Sequence, residues 1–374
     1  MQALDDKIGR LLSLAPYGQP PVEKEAALLE LLKEELNYSC QRHAGYENYV
    51  RCWPLDYRSA VDVASLPFLP VGILKANPPL SLVEPGEIKR TLTSSATTSQ
   101  SPSRVALDSP TSRRMTKGIV AIVRDFIGPA RRPYLVVDVP GSRGDGDELG
   151  ARGAAIQGLQ PFASQVTYCL GLNGQGDLVL DRDKLHEFAR NRQDADLLVY
   201  GFTYILWNHL VTPLLADGTC LNLPKVRILH SGGWKRLQEQ AVQKSAFNDG
   251  LARVFGCSPQ NVIDFYGMVE SVGVIFPDCP EGNKHTPAFG DVIVRNPLSL
   301  APVAPGELGI VQVCSVLPTS FPGHLLLTED TAQVIAYDGC PCGRRGISFR
   351  FAGRIPKAEV RGCGNLQSKR SPIS

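Results

Sequence analysis

The feature that most constrains this chain is a set of short, almost wholly apolar runs spaced between amphipathic stretches. YLVVDVP (Tyr134 to Pro140), ADLLVYGF, KVRILHS and NVIDFYG read as short buried strands, most of them ending in small or polar residues. Helix-like pieces such as LHEFARNRQ and GWKRLQEQAVQKSAFNDGLARVFG lie between them. Runs this apolar suit strands buried on both faces, and the alternation with helices predicts an α/β body with a parallel-rich sheet and ligands at the strand C-termini. After about residue 287, DVIVR, GIVQVCSV, HLLLTED and AQVIAYD read as hairpin-linked strands of a smaller β-rich subdomain. Before about residue 80 the chain reads as helical. PPVEKEAALLELLKEELNYSC has prolines at its start, acids in its first turn, and Leu28, Leu31, Leu32 and Leu36 at helical spacing. The expected organisation is a helical region over 1–87 packed on the body, a catalytic body over 88–352, and a short tail over 353–374.

The stretch Leu197 to Ala216 contains no Asp, Glu, Lys or Arg and is long enough to span a bilayer. It also holds Gly201, Thr203, Asn208, His209, Thr212 and Pro213 and lacks a cationic flank, so it reads as a buried strand running into a pocket-lining helix. Lys and Arg number 39 against 37 Asp and Glu, a net charge of +2. No global field of that size attracts nucleic acid or an anionic membrane. The beginning, MQALDDKIGR, has no apolar signal region, and the ten cysteines are scattered. A reduced, cytoplasmic protein without a membrane span is expected.

Five segments carry the chemistry. TSSATTSQSPSR (Thr93 to Arg104) is a run of hydroxyls suited to cradling phosphate oxygens. HSGGWK (His230 to Lys235), DFYGMVES (Asp264 to Ser271), LTED (Leu327 to Asp330) and GRIPKAEVRGCG (Gly353 to Gly364) follow in that order. Together they resemble the motif series of the adenylate-forming enzymes: a phosphate loop, a small-residue turn beside the nucleotide, a Tyr-Gly-x-Thr-Glu motif, a Thr-Gly-Asp motif and a Gly-Arg hinge. The loop without its usual lysine, ARGAA at Ala151 to Ala155, GFTYILWNHL and the RGCG near the C-terminus are similar to the LuxE-type acyl-protein synthetases. That resemblance implies ATP-dependent activation of a carboxylic acid, in the family a fatty acid, as acyl-AMP. It then implies transfer to a cysteine near the C-terminus and delivery to a reductase subunit.

Carried onto this sequence, the resemblance makes Ser94, Ser95, Thr97 and Thr98 phosphate contacts, with Gly232 and Gly233 letting backbone approach the nucleotide. Tyr266 would pack on adenine with Gly267 keeping its turn tight. Glu270 would ligate Mg²⁺, and Asp330 with Arg354 would hold the ribose. Cys363, between two glycines and near Lys357 and Arg361, would be the acyl acceptor. Tyr204, Trp207 and His209 are expected to line the acyl pocket. Ala96, Ser99, Val269 and Glu329 depart from the family pattern. About twenty residues follow Arg354, so one body without the large C-terminal domain of many adenylate-forming enzymes is expected.

A second constellation is independent of these motifs. Cys279, His285, Cys340 and Cys342 offer three sulfurs and an imidazole, the donor set of structural zinc, and the phenylacetate–CoA ligase branch looks similar here. Uncoordinated, reduced cysteines fit the same sequence. Two other functions also fit it: an acyl-CoA or aryl-CoA ligase, and a non-catalytic scaffold that binds a nucleotide or a reductase.

Overall fold

The computed structural model describes residues 2–76, 78–94, 102–140, 148–234 and 241–355. Its centre is a six-stranded sheet in the order Phe276–Pro277, Val262–Tyr266, Val226–Ser231, Leu197–Phe202, Arg132–Val136, Ala163–Tyr168. All neighbours are parallel except the first pair. Every side chain of Leu197–Phe202 is buried, as its unbroken apolar run requires. Chain order reverses between Arg132–Val136 and Leu197–Phe202, the switch point at which doubly wound sheets open a crevice for ligands.

The uncharged stretch does run from strand into helix. Thr203–Leu206 is α-helical, Trp207–Val211 forms a π-helical turn, and Thr212–Ala216 resumes the α-helix. Among the described residues no helix is long and apolar enough to cross a membrane. The amphipathic segment before Gly256 is shorter than its pattern suggests, because the helix starts at Lys244 after a non-helical 241–243.

A second, mostly antiparallel sheet follows in the order Lys284–His285, Ser348–Arg354, Leu325–Ala336, Leu308–Ser315, Gly290–Arg295. Here the sequence misleads in one place. HLLLTED and AQVIAYD are not two strands joined by a hairpin but one twelve-residue strand, Leu325–Ala336. Glu329 and Asp330 break the apolar pattern and lie at a bulge, where the pairing with Leu308–Ser315 shifts register between Ile310 and Gln312, yet the strand runs on through them. Glu329 faces outward, where Lys75 lies 3.6 Å away, and Asp330 is satisfied from within. GRIPK also hides the end of the strand Ser348–Arg354.

The N-terminal helices Gln2–Leu12, Pro21–Arg42 and Ala44–Arg51 share a core with this second sheet. Leu28, Leu32 and Leu36 are fully buried in it beside Val313, Leu326 and Phe349. Leu69–Pro70 adds a short parallel strand to Leu326–Leu327. Helix Ser109–Ile127 touches both cores, giving Ile122 to one and Val123 to the other. Its fit is close, since a Cβ on Gly118 would lie 2.7 Å from the Gly273 carbonyl oxygen.

Candidate functional site: a nucleotide cradle beside a thiol–imidazole cluster

The strands Arg90–Thr93 and Arg104–Leu107 pair antiparallel and lead into the hydroxyl-rich run. Its mouth is closed by the Ser94 N–H donating to the Ser103 carbonyl at 3.0 Å and the Ser103 N–H donating to Ser94 Oγ at 2.8 Å. Ser94 is therefore a closing residue of the loop in this structure. Ser95, Thr97 and Thr98 lie outside the described residues.

Strand Val226–Ser231 delivers the next element. It ends in Gly232, whose φ of +78° is a conformation that favours glycine, so SGG turns where a larger residue would be strained. Gly233 follows in open space. The neighbouring strand ends in Tyr266, and a Cβ on Gly267 would press to 3.0 Å on Ile275.

Tyr266 and Asp330 meet directly. The buried phenol donates to Asp330 Oδ2 at 2.9 Å, and Arg354 Nε lies 3.4 Å from Oδ1. Burial raises the Asp330 carboxyl above its ordinary range, against the pull of the Tyr266 hydrogen bond and the Arg354 charge. The Tyr266 ring stacks on Phe351, with centroids 4.8 Å apart and planes inclined by 23°. That ring-on-ring contact, supplied by the strand Ser348–Arg354, is invisible in the motif itself. Glu270 is buried a few residues on. Thus Tyr266, Asp330 and Arg354 come together at the end of the parallel sheet. Cys363 lies outside the described residues.

Of the expected pocket residues, Trp207 sits on the π-helical turn 5.9 Å from the Phe247 ring and 6.4 Å from the Trp234 ring. Tyr204 lies 6.5 Å from Phe202. His209 is half-buried, which lowers its pKa. At the switch point the buried Asp138 accepts from Arg152 Nε at 2.9 Å, which gives the ARGAA segment a place at the crevice.

A charged cluster, of which the motifs contain only His230 and Asp264, lies under this site. Lys284, nearly wholly buried, places Nζ 2.9 Å from Asp264 Oδ2 and 3.0 Å from Asp278 Oδ1. Lys244 also pairs with Asp278. Asp264 in turn lies 3.7 Å from His230 Nδ1, which is 3.0 Å from Thr203 Oγ1. The sequence signal is slight: His230 and Asp264 are polar residues inside otherwise apolar strands, and Lys244, Asp278 and Lys284 carry none.

Cys279, His285, Cys340 and Cys342 converge. Their ligand atoms all lie within 4.8 Å of one another. Cys279 and Cys340 sulfurs are 4.0 Å apart, and Cys342 Sγ is 3.3 Å from His285 Nε2. Metal–sulfur bonds of about 2.3 Å in a tetrahedron put sulfurs about 3.8 Å apart, so the group has the dimensions of a four-coordinate site. Burial pushes His285 down to about 4 and keeps its imidazole neutral, the form that binds metal.

This architecture is the fold of the adenylate-forming ligases. The solved structure of 2-hydroxyisobutyryl-CoA ligase in an open conformation, in complex with 2-HIB-AMP and CoA, superposes with a TM-score of 0.70 at 16% identity, covering 93% of this chain and 79% of that one. Within that fold the chain belongs to the LuxE acyl-protein synthetase family, whose model matches residues 5–371. It is similar to the long-chain-fatty-acid–luciferin-component ligase of Aliivibrio fischeri, 27% identical over 198 residues, or 50% of this chain and 51% of the relative. The ligase of the same name from Vibrio harveyi is 26% identical over 143 residues, 38% of this chain and 36% of the relative. The matched segments thus span about half or less of the curated relatives' length.

Proposed function

We propose that this protein activates a carboxylic acid with ATP and passes the acyl group to Cys363. The acid's carboxylate oxygen attacks the α-phosphorus of ATP, forming acyl-AMP and releasing pyrophosphate. The Cys363 thiolate then attacks the acyl carbonyl carbon, AMP leaves, and the thioester is handed to a reductase subunit. The observation that carries this reading is the family match over nearly the whole chain, joined to the convergence of Tyr266, Asp330 and Arg354 at the sheet's carboxyl end. The relatives' names support a long-chain fatty acid as substrate.

Asp330 would accept from the ribose hydroxyls, held in place by Tyr266 and Arg354, and the adenine would lie beside the Tyr266–Phe351 stack. Gly232 and Gly233 would leave the backbone open to the nucleotide, and Ser94, Ser95, Thr97 and Thr98 would hold phosphate oxygens. Glu270 would hold Mg²⁺, which when bound offsets the charge of the polyphosphate. The thiol–imidazole group would hold zinc as a structural pin, closing residues 279–285 and 340–342 against each other. Thiolate ligands and an acceptor thiol suit the reducing cytosol.

Acid-dependent exchange of labelled pyrophosphate into ATP tests the first half-reaction, and its absence across fatty and aryl acids would leave only a binding scaffold. Intact mass after incubation with ATP and acid tests the second. An acyl adduct is expected in the wild type and none in Cys363→Ser. Thioester formation with coenzyme A at an undiminished rate in that variant would assign a CoA ligase instead.

A further inference from the structure

Helices Gln2–Leu12 and Ser109–Ile127 stand side by side, and a cleft of about 530 Å³ opens between them. None of its lining residues belongs to the five motifs. The first helix turns Leu4, Ile8 and Leu11 into the core and lines the cleft with Asp5, Asp6 and Arg10. Gly9 keeps that wall open, since a Cβ there would meet nothing within 4 Å. The second helix supplies Arg113, Arg114 and Lys117, which the helical repeat sets on one face.

The charges here do not balance. Asp5 Oδ1 lies 3.5 Å from Arg114 Nε, and Asp6 Oδ1 accepts from Gln2 Nε2 at 3.2 Å. Arg10, Arg113 and Lys117 are exposed and have no ion-pair partner among the described residues. Arg114 lies deeper in the wall and is only 5% exposed. Its Nη2 donates to Thr319 Oγ1, while Nη1 is covered and has no hydrogen-bond partner. Glu35, the buried acid whose charge would answer Arg114, is driven by desolvation well above the ordinary carboxyl range and favours its neutral form. Like charges three and four residues apart destabilise a helix, and the first turn of Ser109–Ile127 holds no acid. Such a set is stabilised by an anion from outside the chain.

We propose that this cleft binds a small anion carrying two or more phosphate groups, at a site separate from the nucleotide cradle. Its volume is that of small-ligand pockets, and Arg10, Arg113 and Lys117 stand on its solvent-open side. Those three cations make the direct contacts. Each arginine fork matches a pair of phosphate oxygens, and the lysine adds a point charge. Arg114 acts by its charge alone, from behind. Cations on two facing helices are too many for one carboxylate, whereas linked phosphates spread their charge across both walls.

The test titrates the full chain calorimetrically with inorganic tripolyphosphate, at low salt and without Mg²⁺. Arg113→Ala with Lys117→Ala on one wall, and Arg10→Ala on the other, should each weaken one tripolyphosphate site, the double variant at least about tenfold. All three side chains are exposed, so the fold does not depend on them. Affinity for ATP in the cradle, the ATP site lost in Asp330→Asn, should stay at the wild-type value in these variants. ATP as titrant also tells the source of the phosphates. A second ATP site, lost in the double variant, assigns phosphates carried on a nucleotide, and a single ATP site assigns free polyphosphate. Tripolyphosphate binding that is equal in the wild type and both variants overturns the proposal. Succinate competing as well as tripolyphosphate at equal ionic strength also overturns it, because the cleft would then attract any dianion.

Discussion

Replacing Lys284 with methionine removes the charge beneath the site while nearly conserving volume. At 2.9 and 3.0 Å, each ammonium–carboxylate attraction amounts to about 5–6 kcal/mol at an effective dielectric of about 20, much of it offset by the cost of burying the lysine. Removing one partner is not offset, because the carboxylates stay behind, Asp278 buried and Asp264 with 28% of its side chain exposed. Asp278 keeps its ion pair with Lys244, whereas Asp264 keeps the neutral His230 and the more distant charge of Lys244, so the loss should concentrate on Asp264. We expect about 2–3 kcal/mol of destabilisation at neutral pH, less than for a wholly buried pair because water reaches Asp264, read as a lower midpoint of guanidinium unfolding with the slope unchanged.

The pH dependence sharpens this. Burial alone would raise the Asp264 carboxyl, but Lys284 and then His230 overcome that and hold it at about 2, below the ordinary 3.8. In the wild type Asp264 therefore contributes stability that is present above 3.8 and lost as pH falls toward 2. Without Lys284 the folded carboxyl rises from that value and its stabilising contribution shrinks, so the variant's deficit should narrow as pH falls below about 5 toward 2. Asp264→Asn combined with Lys284→Met should recover more than half of the loss. Metal content is measured alongside, because His285 is the next residue. A deficit below about 1 kcal/mol at pH 7 with metal retained, or one unchanged by pH and by Asp264→Asn, would refute this electrostatic account.

Other perturbations read different parts of the molecule. Tyr266→Phe removes the donor to Asp330, and KM for ATP in the exchange assay should rise about tenfold, from the loss of one hydrogen bond to a carboxylate. Gly273→Ala, at a φ of +80° with a Cβ 2.7 Å from Met115 Cα, should cost about 2–4 kcal/mol by strain and overpacking, seen in thermal unfolding. Burial holds His230 at about 4 and His324 at about 3, below the ordinary 6.5. Their contribution to stability is full above 6.5 and lost as pH falls through those values, so unfolding midpoints should decline progressively below about pH 6.5. Cys342→Ser should lower bound zinc well below one equivalent in metal analysis of the purified protein, and a full equivalent would remove that residue as a ligand.

Much of this was legible because fully buried strands must be apolar on both faces, and Leu197–Phe202 could hardly have been anything else. The Leu325–Ala336 strand was not, because hydropathy cannot tell a charged pair that ends a strand from one whose Asp330 is answered by Tyr266 some sixty residues earlier. The Thr203–His230–Asp264 contact depends on the register of three strands that are far apart in sequence. Phe351 looked like an ordinary strand residue until its strand fell across Tyr266. For Cys279, His285, Cys340 and Cys342, residue types could be read, but only the fold shows that sixty intervening residues close the gap.

The strand Ser348–Arg354 also fixes one end of the segment that carries Cys363. Arg354 pairs with Asp330, and the Ile355 N–H donates to the Glu329 carbonyl at 2.9 Å. Cys363 lies eight residues further on, so covalent geometry confines its sulfur within about 30 Å of that point. A thiol leashed so near Asp330 would, on the proposed reading, meet acyl-AMP at an effective concentration in the millimolar range, whatever the cell supplies in free thiols. On the proposed reading, the first acceptor is chosen by the length of a tether, and a diffusing competitor would need a binding site of its own to overtake it.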